Sequence, residues 1–166
     1  MTIREENAAD VPAIHEVECA AFGRKNEADL VDTLRCNGKL ILSLVAETES
    51  GIAGHIAFSG MALDPPSADD CVLGLGPVAV LPDRQGKGVG SSLVREGLRI
   101  AHSLGYTHIV LLGAPAYYRR FGFVPARRFG ISNEYTSGDE FMIVALSGGN
   151  MPRGVMMNYQ PEFAAV

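Results

Sequence analysis

Val78-Ala79-Val80-Leu81-Pro82-Asp83-Arg84-Gln85-Gly86-Lys87-Gly88-Val89-Gly90 is the stretch on which the reading of this chain turns. It opens as an apolar strand, passes through a proline-containing turn, and runs through three closely spaced glycines into a segment with helical periodicity. Val89, Leu93, Gly97, Ile100 and Leu104 recur every three to four residues, and Val94, Leu98 and Ala101 widen the apolar stripe, which predicts an amphipathic helix over 88–104 with Gly105 as its stop. A strand feeding a helix through glycines brings backbone N–H groups together at the positive end of the helix dipole, an arrangement that holds phosphate. Arg84 and Lys87 add local positive charge, and Gly86 and Gly88 permit close backbone approach. The glycine spacing fits neither a dinucleotide GxGxxG turn nor a GxxxxGK[ST] loop, so simple nucleotide binding is not the reading.

Outward from this segment, 2–4 reads as an opening strand, with Asn7 or Asp10 as the cap of a following helix. Ile14, Val17, Ala20 and Ala21 carry that helix after Pro12, and a second helix covers 27–36 and ends at Gly38. Strands at 40–47 and 52–59 flank a polar turn suited to a hairpin. Residues 61–70, with Pro65-Pro66, read as a surface loop. The central strand, 71–80, is disturbed by Gly74, Gly76 and Pro77, which permit a bulge or close ligand approach. After the long helix come a strand at 106–112, a short helix at 115–121 with its exit at 123–125, and strands at 141–146 and 155–159 that read as a late antiparallel pair around Gly148-Gly149. The strand–helix–strand order over 78–112 implies a crossover within a mixed sheet carrying helices on its faces.

The chain has 166 residues, 47% of them hydrophobic, which suits one compact domain spanning 1–166. No apolar run approaches the roughly 18 residues of a membrane span, and the first residues lack a basic region followed by an apolar segment, so a cytoplasmic protein without membrane association is expected. The formal charge of -5 argues against nucleic acid as a partner. Cys19, Cys36 and Cys71 show no CxxC spacing and read as reduced, buried or partly buried residues. The spacing of histidines and acids supports no metal centre.

The glycine turn resembles the pyrophosphate signature of the GNAT superfamily of N-acetyltransferases, Gln or Arg, two residues, Gly, one residue, Gly or Ala, here Gln85-Gly86-Lys87-Gly88-Val89-Gly90. Gly76-Pro77-Val78-Ala79-Val80-Leu81-Pro82 resembles the strand entering that site, and Tyr117-Tyr118-Arg119-Arg120-Phe121-Gly122-Phe123-Val124-Pro125 is similar to the family segment in which a tyrosine precedes a Gly-Phe pair. The resemblance spans about residues 2–161 and is most specific over 74–125. It implies an α+β fold, a three-layer α/β/α arrangement around a mixed, mostly antiparallel sheet whose central strand pair splays apart. It also implies acetyl-CoA as acyl donor. Arg84, Gln85, Gly86, Lys87, Gly88, Val89, Gly90 and Ser91 would hold the coenzyme A pyrophosphate, and Val78, Ala79 and Val80 would meet the pantetheine arm. Tyr118 would be the general acid for the departing thiolate, with Tyr117 as its alternative and Arg119 and Arg120 near the adenine-nucleotide phosphates.

The expected reaction is acetyl transfer to an amine by direct attack in a ternary complex. The acceptor is a small-molecule amine or a peptide or protein amine, framed by 22–26, 61–70 and 129–139. A general base is not evident: relatives place an acid on the central strand, whereas 71–80 has none, Asp70 lies at its start, and Glu18, His15 and Glu134 are weak candidates. His55 and His108 read as structural, and Cys71 as a packing residue rather than a covalent acyl carrier. The missing acid leaves a second expectation, a catalytically weak acyl-CoA-binding sensor or interaction module. The resemblance further offers the final strand as a homodimer surface.

Overall fold

The computed structural model describes residues 1–66, 71–135 and 138–166. In chain order the elements are β1 (Thr2–Glu5), α1 (Val11–Phe22), α2 (Asn26–Cys36), β2 (Leu40–Thr48), β3 (Gly51–Gly60), β4 (Ala62–Asp64), β5 (Val72–Val80), α3 (Val89–Ser103), β6 (His108–Leu112), α4 (Pro115–Tyr118), β7 (Val124–Pro125), β8 (Phe141–Ala145) and β9 (Met156–Asn158). Seven strands follow one another by hydrogen bonding in the order β1, β2, β3, β5, β6, β8, β7, while β4 pairs with β9 in a separate two-stranded ladder. The β1–β2, β6–β8 and β7–β8 pairs are antiparallel and β5–β6 is parallel, the mixed sheet expected of the crossover through α3.

The chain forms two compact units. The first comprises Met1–Phe58, Gly76–Gly97 and Pro161–Val166. It begins with a cap: Asn7 accepts from the Ala9 N–H at 2.9 Å and Asp10 from the Asn7 N–H at 2.8 Å, a capping box that closes a 3-10 turn just before α1. Gly23 ends α1 in the left-handed conformation, as C-terminal glycines do. Ile14 of α1 and Val31 of α2 meet Val45 and Ala57 of β2 and β3 in a core with no solvent exposure. Glycine at 54 lets β3 lie close to α3, because a methyl there would meet Leu93 Cδ1, Val89 Cγ1 and the Ala79 carbonyl, each at 3.0 Å. Gly97 similarly faces Phe58, whose Cζ would lie 2.5 Å from an added methyl.

The second unit comprises Ser59–Leu75 and Leu98–Gln160. Its core is built on Leu73, Ile109, Leu111, Phe123, Phe141 and Met142, each at most 2% exposed. The β5–β6 register covers Val72↔His108, Leu73↔Ile109 and Gly74↔Val110, and β6 then pairs with β8 along its whole length. Gly74 admits Met61 and Tyr159, whose Sδ and Cε1 atoms would stand 2.8 and 3.0 Å from a side chain at that position.

Three expectations from the sequence are corrected. The late strands do not pair with each other: β8 lies between β6 and β7, and β9 pairs with β4 through Ala62↔Asn158, Leu63↔Met157 and Asp64↔Met156. The segment read as a loop over 61–70 therefore contains a strand at its start, and its residues 67–70 lie outside the described residues. Cys36, expected to be at least partly buried, is exposed at the end of α2, whereas Cys19 and Cys71 are half-buried. Central strand β5 stays continuous through its disturbance, which is confined to Gly76, with φ 152 and a cis bond to Pro77. No helix among the described residues is long and apolar enough to cross a membrane.

Candidate functional site

The glycine turn belongs to the first unit. Beyond β5 the Leu81 N–H donates to the Ala53 carbonyl at 3.0 Å, and residues 82–84 form a 3-10 turn closed by the Arg84 N–H on the Leu81 carbonyl at 2.8 Å. Gln85 reaches back, its Nε2 donating to the Val80 carbonyl at 3.0 Å, which ties the strand end to the turn. Gly86 and Gly88 have φ of 72° and 83°, values that residues with a Cβ rarely adopt, and no atom lies within 4 Å of where either Cβ would stand. The backbone is thus bare on the side a Cβ would occupy. Val89 and Gly90 then open α3, a helix of fifteen residues with no acid in its first turn, so no carboxylate competes with an anion there.

The cations of the turn are held locally. Arg84 Nη2 donates to Ser50 Oγ at 3.0 Å and its Nε lies 3.3 Å from Asp83, while Lys87 Nζ donates to the Asp83 carbonyl at 2.8 Å. On the strand, Ala79 is buried, whereas Val78 and Val80 are half-buried. Ser91 lies in the first turn of α3.

Tyr118 belongs to the second unit, at the end of α4. Pro115 starts this short helix, where its missing N–H costs nothing, and Gly122 in the left-handed conformation turns the chain after it. Three aromatic rings fix the phenol ring: Tyr117 at 4.9 Å edge-on, Phe123 at 5.9 Å and Phe121 at 6.3 Å between centroids. Gly113 provides the remaining space, since a methyl there would collide with the Tyr118 ring. Burial, with a smaller contribution from Tyr117, pushes the Tyr118 phenol up to about 12. Tyr159 is a neighbour that sequence reasoning did not single out. Its phenol is raised further, by burial and then by Glu134, Tyr135 and Tyr118. Tyr117 carries the Arg120 guanidinium over its ring at 4.6 Å, and both Arg119 and Arg120 are exposed.

The candidate bases Glu18, His15 and Glu134 occupy different settings, Glu18 beside His55, a residue expected to be structural. Glu18 and His55 are fully buried, with His55 Nδ1 at 2.6 Å from Glu18 Oε1 and His55 Nε2 at 2.8 Å from Ser43 Oγ. Ser43 hydrogen-bonds Glu6, and Glu6 accepts from Arg35 Nε and Nη2 at 2.7 and 2.9 Å. Burial raises the Glu18 pKa against the opposing pull of His55. His15 is half-buried against Asp32 at 2.8 Å, and Glu134 Oε1 accepts the Tyr159 N–H at 2.8 Å. The sequence hid this buried network because Ser43 and His55 are single polar residues within the apolar strands β2 and β3, while Glu18, Arg35 and Glu6 lie on α1, on α2 and after β1. Asp70 lies outside the described residues. Of the segments expected to frame the acceptor, 129–139 borders a cavity of about 530 Å3 lined in part by Asn133, Glu134, Tyr135 and Phe141, with residues 136–137 outside the described set. Among the described residues no three His, Cys, Asp or Glu side chains gather as metal ligands do.

The family model of the acetyltransferase (GNAT) domain matches residues 2–126. The N-acetyltransferase YhbS of Escherichia coli K12 is 40% identical over 124 residues, covering 74% of this chain and 73% of the relative. The crystal structure of E. coli YhbS in complex with CoA superposes with a TM-score of 0.88 at 31% identity, over 98% of this chain and 91% of that one. A GNAT-family acetyltransferase from Brucella melitensis, solved with acetyl-CoA, gives a TM-score of 0.81 at 39% identity over 98% and 97% of the two chains. A strand that runs through glycines of left-handed conformation into a long helix, within a mixed sheet shared with these structures, is thus matched in both sequence and architecture: the chain belongs to the GNAT family of acetyltransferases.

Proposed function

We propose that the chain transfers the acetyl group of acetyl-CoA to an amine by direct attack, with donor and acceptor bound together. The observation that carries this reading is the pair of bare, left-handed glycines, Gly86 and Gly88, set immediately before α3. In this reading the backbone of 85–90 and the start of α3 hold the pyrophosphate, Ser91 lies at the same helix end, and Arg84 and Lys87 contribute charge beside it. The strand edge at Val78, Ala79 and Val80 receives the pantetheine arm. The relatives solved with CoA and acetyl-CoA support the donor assignment.

In the reaction a neutral amine nitrogen forms its bond to the thioester carbonyl carbon as the carbon–sulfur bond breaks. The proton released from the nitrogen passes to water, and the thiolate is stabilised and then protonated. Tyr118 is the donor to that sulfur. A phenol near 12 remains protonated throughout the neutral range, but it is a weaker acid than a thiol near 8.5. It therefore acts first as a hydrogen-bond donor to the developing thiolate, with complete proton transfer uphill until solvent resupplies the proton. Positioning two substrates in one groove contributes the larger part of the acceleration, roughly 7–11 kcal/mol in favourable intramolecular reactions. Glu134, Tyr135 and Asn133 beside the 530 Å3 cavity suit an amine, by charge, aromatic face and amide respectively.

The test is release of free coenzyme A thiol in the presence of a panel of small amines and peptides, with acetylated products identified by mass spectrometry. Turnover with at least one amine, accompanied by stoichiometric thiol release, is expected. One observation favours a second reading, a binding module with little turnover: β5 carries no ionisable side chain. Tight acetyl-CoA binding with no product across the panel would establish that module instead.

A further inference from the structure

In the first unit a path of polar side chains runs from Arg35 through Glu6, Ser43 and His55 to Glu18, and its contacts fix where the hydrogens lie. Burial pushes the Glu6 carboxyl up, but hydrogen bonds from Arg35 and Ser43 outweigh it and bring the carboxyl below its usual range. Glu6 is therefore ionised and has no hydrogen to give. Ser43 has one, and its short contact with Glu6 Oε2 takes it. His55 Nε2, 2.8 Å from Ser43 Oγ, is then an N–H donor. Ser43, His55 and Glu18 stand in the order of a nucleophile, a base and an acid, but with the hydroxyl hydrogen turned to Glu6 the imidazole has none to receive.

On the other side of the ring, Nδ1 stands 2.6 Å from Glu18 Oε1. Two lone pairs repel at that distance, so a hydrogen lies between the atoms. Imidazole and carboxyl thus hold two hydrogens, one on Nε2 and one shared, whichever of Nδ1 and Oε1 carries it. The pair then has no net charge, as suits two side chains without solvent exposure. Burial opposes a negative charge on Glu18 against the pull of His55, and Glu27 of α2, itself paired with Arg24 Nε at 3.1 Å, opposes it further. The nearest other charge, Glu6 at 3.9 Å from His55 Nε2, is balanced by Arg35, which also meets Asp32, the partner of His15. We propose that Glu18 and His55 form a proton latch, one shared hydrogen that the folded chain keeps through the neutral range and that fastens α1 to β3. The same strand carries Ala53, whose carbonyl accepts the Leu81 N–H ahead of the glycine turn, so the latch holds α1 to the strand that anchors that turn. Above about pH 6.5 an unfolded chain has an ionised glutamate and a neutral histidine, one hydrogen in all, whereas the folded pair holds two. The stability that the latch contributes is therefore fullest between about pH 4.3 and 6.5 and is lost as the pH rises further, until the folded pair releases its shared hydrogen.

Glu18→Gln tests the latch, because its amide N–H still donates to Nδ1 while the ionisable carboxyl is gone. Urea denaturation of the full chain, repeated from about pH 6.5 to about pH 8.5, compares the variant with the unaltered protein. Groups that titrate elsewhere, His15, His102 and His108 among them, are common to both chains and cancel in the difference. The folding equilibrium constant of the unaltered chain is expected to fall, relative to that of Glu18→Gln, by about tenfold per pH unit, the slope of one extra bound proton. Profiles that stay parallel would overturn the proposal. A second measurement needs no variant: in protein carrying isotope-labelled histidine, nuclear magnetic resonance at neutral pH should show a hydrogen bonded to His55 Nε2 and a far-downfield proton in the short contact between Nδ1 and Glu18. If Glu18→Gln does not fold, this spectrum decides, since both hydrogens support the latch and the lack of either overturns it.

Discussion

Tyr118 keeps its proton because burial makes the phenolate costly, and its raised pKa places deprotonation near 12, far above working conditions. No alkaline fall in activity should therefore originate from this residue. Tyr118→Phe is expected to lower kcat by about 100-fold, the scale of one positioned proton donor, with little change in KM for acetyl-CoA. The pH profile should keep its shape and lose only its height, and steady-state thiol-release kinetics across the neutral range would measure both. The sequence singles this tyrosine out only by its place four residues before Gly122 in the family segment, and its role is the proposal made above. Gly113, which leaves room for the Tyr118 ring, was not legible in the sequence, because the contact depends on how the chain turns between β6 and α4. Tyr159 was hidden for a similar reason: its neighbours Tyr135 and Phe141 are distant in sequence and meet it only after the second unit has folded.

At the scale of the element, Gly86 separates conformation from volume. Open space surrounds its absent Cβ, so a substitution there is disfavoured by φ alone. Gly86→Ala should cost about 1–2 kcal/mol of local strain and weaken coenzyme A binding by roughly five- to thirtyfold. Gly86→Asn, which tolerates the left-handed region, should weaken it less; calorimetric titration with coenzyme A compares the two. The N-terminal capping box gives a second test. Asp10 accepts from Arg4 Nη1 and Nη2 at 2.7 and 2.9 Å and from the Asn7 N–H, and the Arg4 guanidinium chiefly holds its carboxyl below the usual range. A depressed folded-state pKa gives stability that is fully present above the unfolded value of about 3.9 and is lost as pH falls through the folded value. Asp10→Asn should therefore destabilise the protein by about 1–3 kcal/mol at neutral pH. Its denaturation midpoint should converge with that of the unaltered chain once the pH has fallen below the depressed folded-state value of Asp10. Helix α3 was readable because its apolar stripe persists for fifteen residues, whereas β4 was not, because three residues are too few for alternation to show. The partner of β9 followed from that omission: a glycine-rich turn suggests a hairpin, but pairing belongs to whichever edge the folded chain presents.

Over the whole molecule, stability rests in part on the buried chain of contacts from Glu18 through His55 and Ser43 to Glu6 and Arg35. Removing one partner of a buried ionic network leaves the others desolvated and unpaired. His55→Ala is accordingly expected to reduce the free energy of unfolding by about 3–5 kcal/mol, a value that urea denaturation monitored by circular dichroism would read. The sequence conveyed the order of strands and helices at this scale, because periodicity and glycine punctuation are local. It did not convey the ion pairs between α2 and the segment after β1, where Arg35 and Glu6 are 29 residues apart.

Each compact unit is assembled from separated stretches, three for one and two for the other, and the strand 72–80 supplies residues to both. A truncated gene ending anywhere from codon 59 to codon 159 thus encodes neither unit in full, since the first also requires Pro161–Val166 and the second requires Gln160. Insertions or fusions meant to preserve folding belong at the termini or in surface turns rather than at a supposed midpoint of the polypeptide.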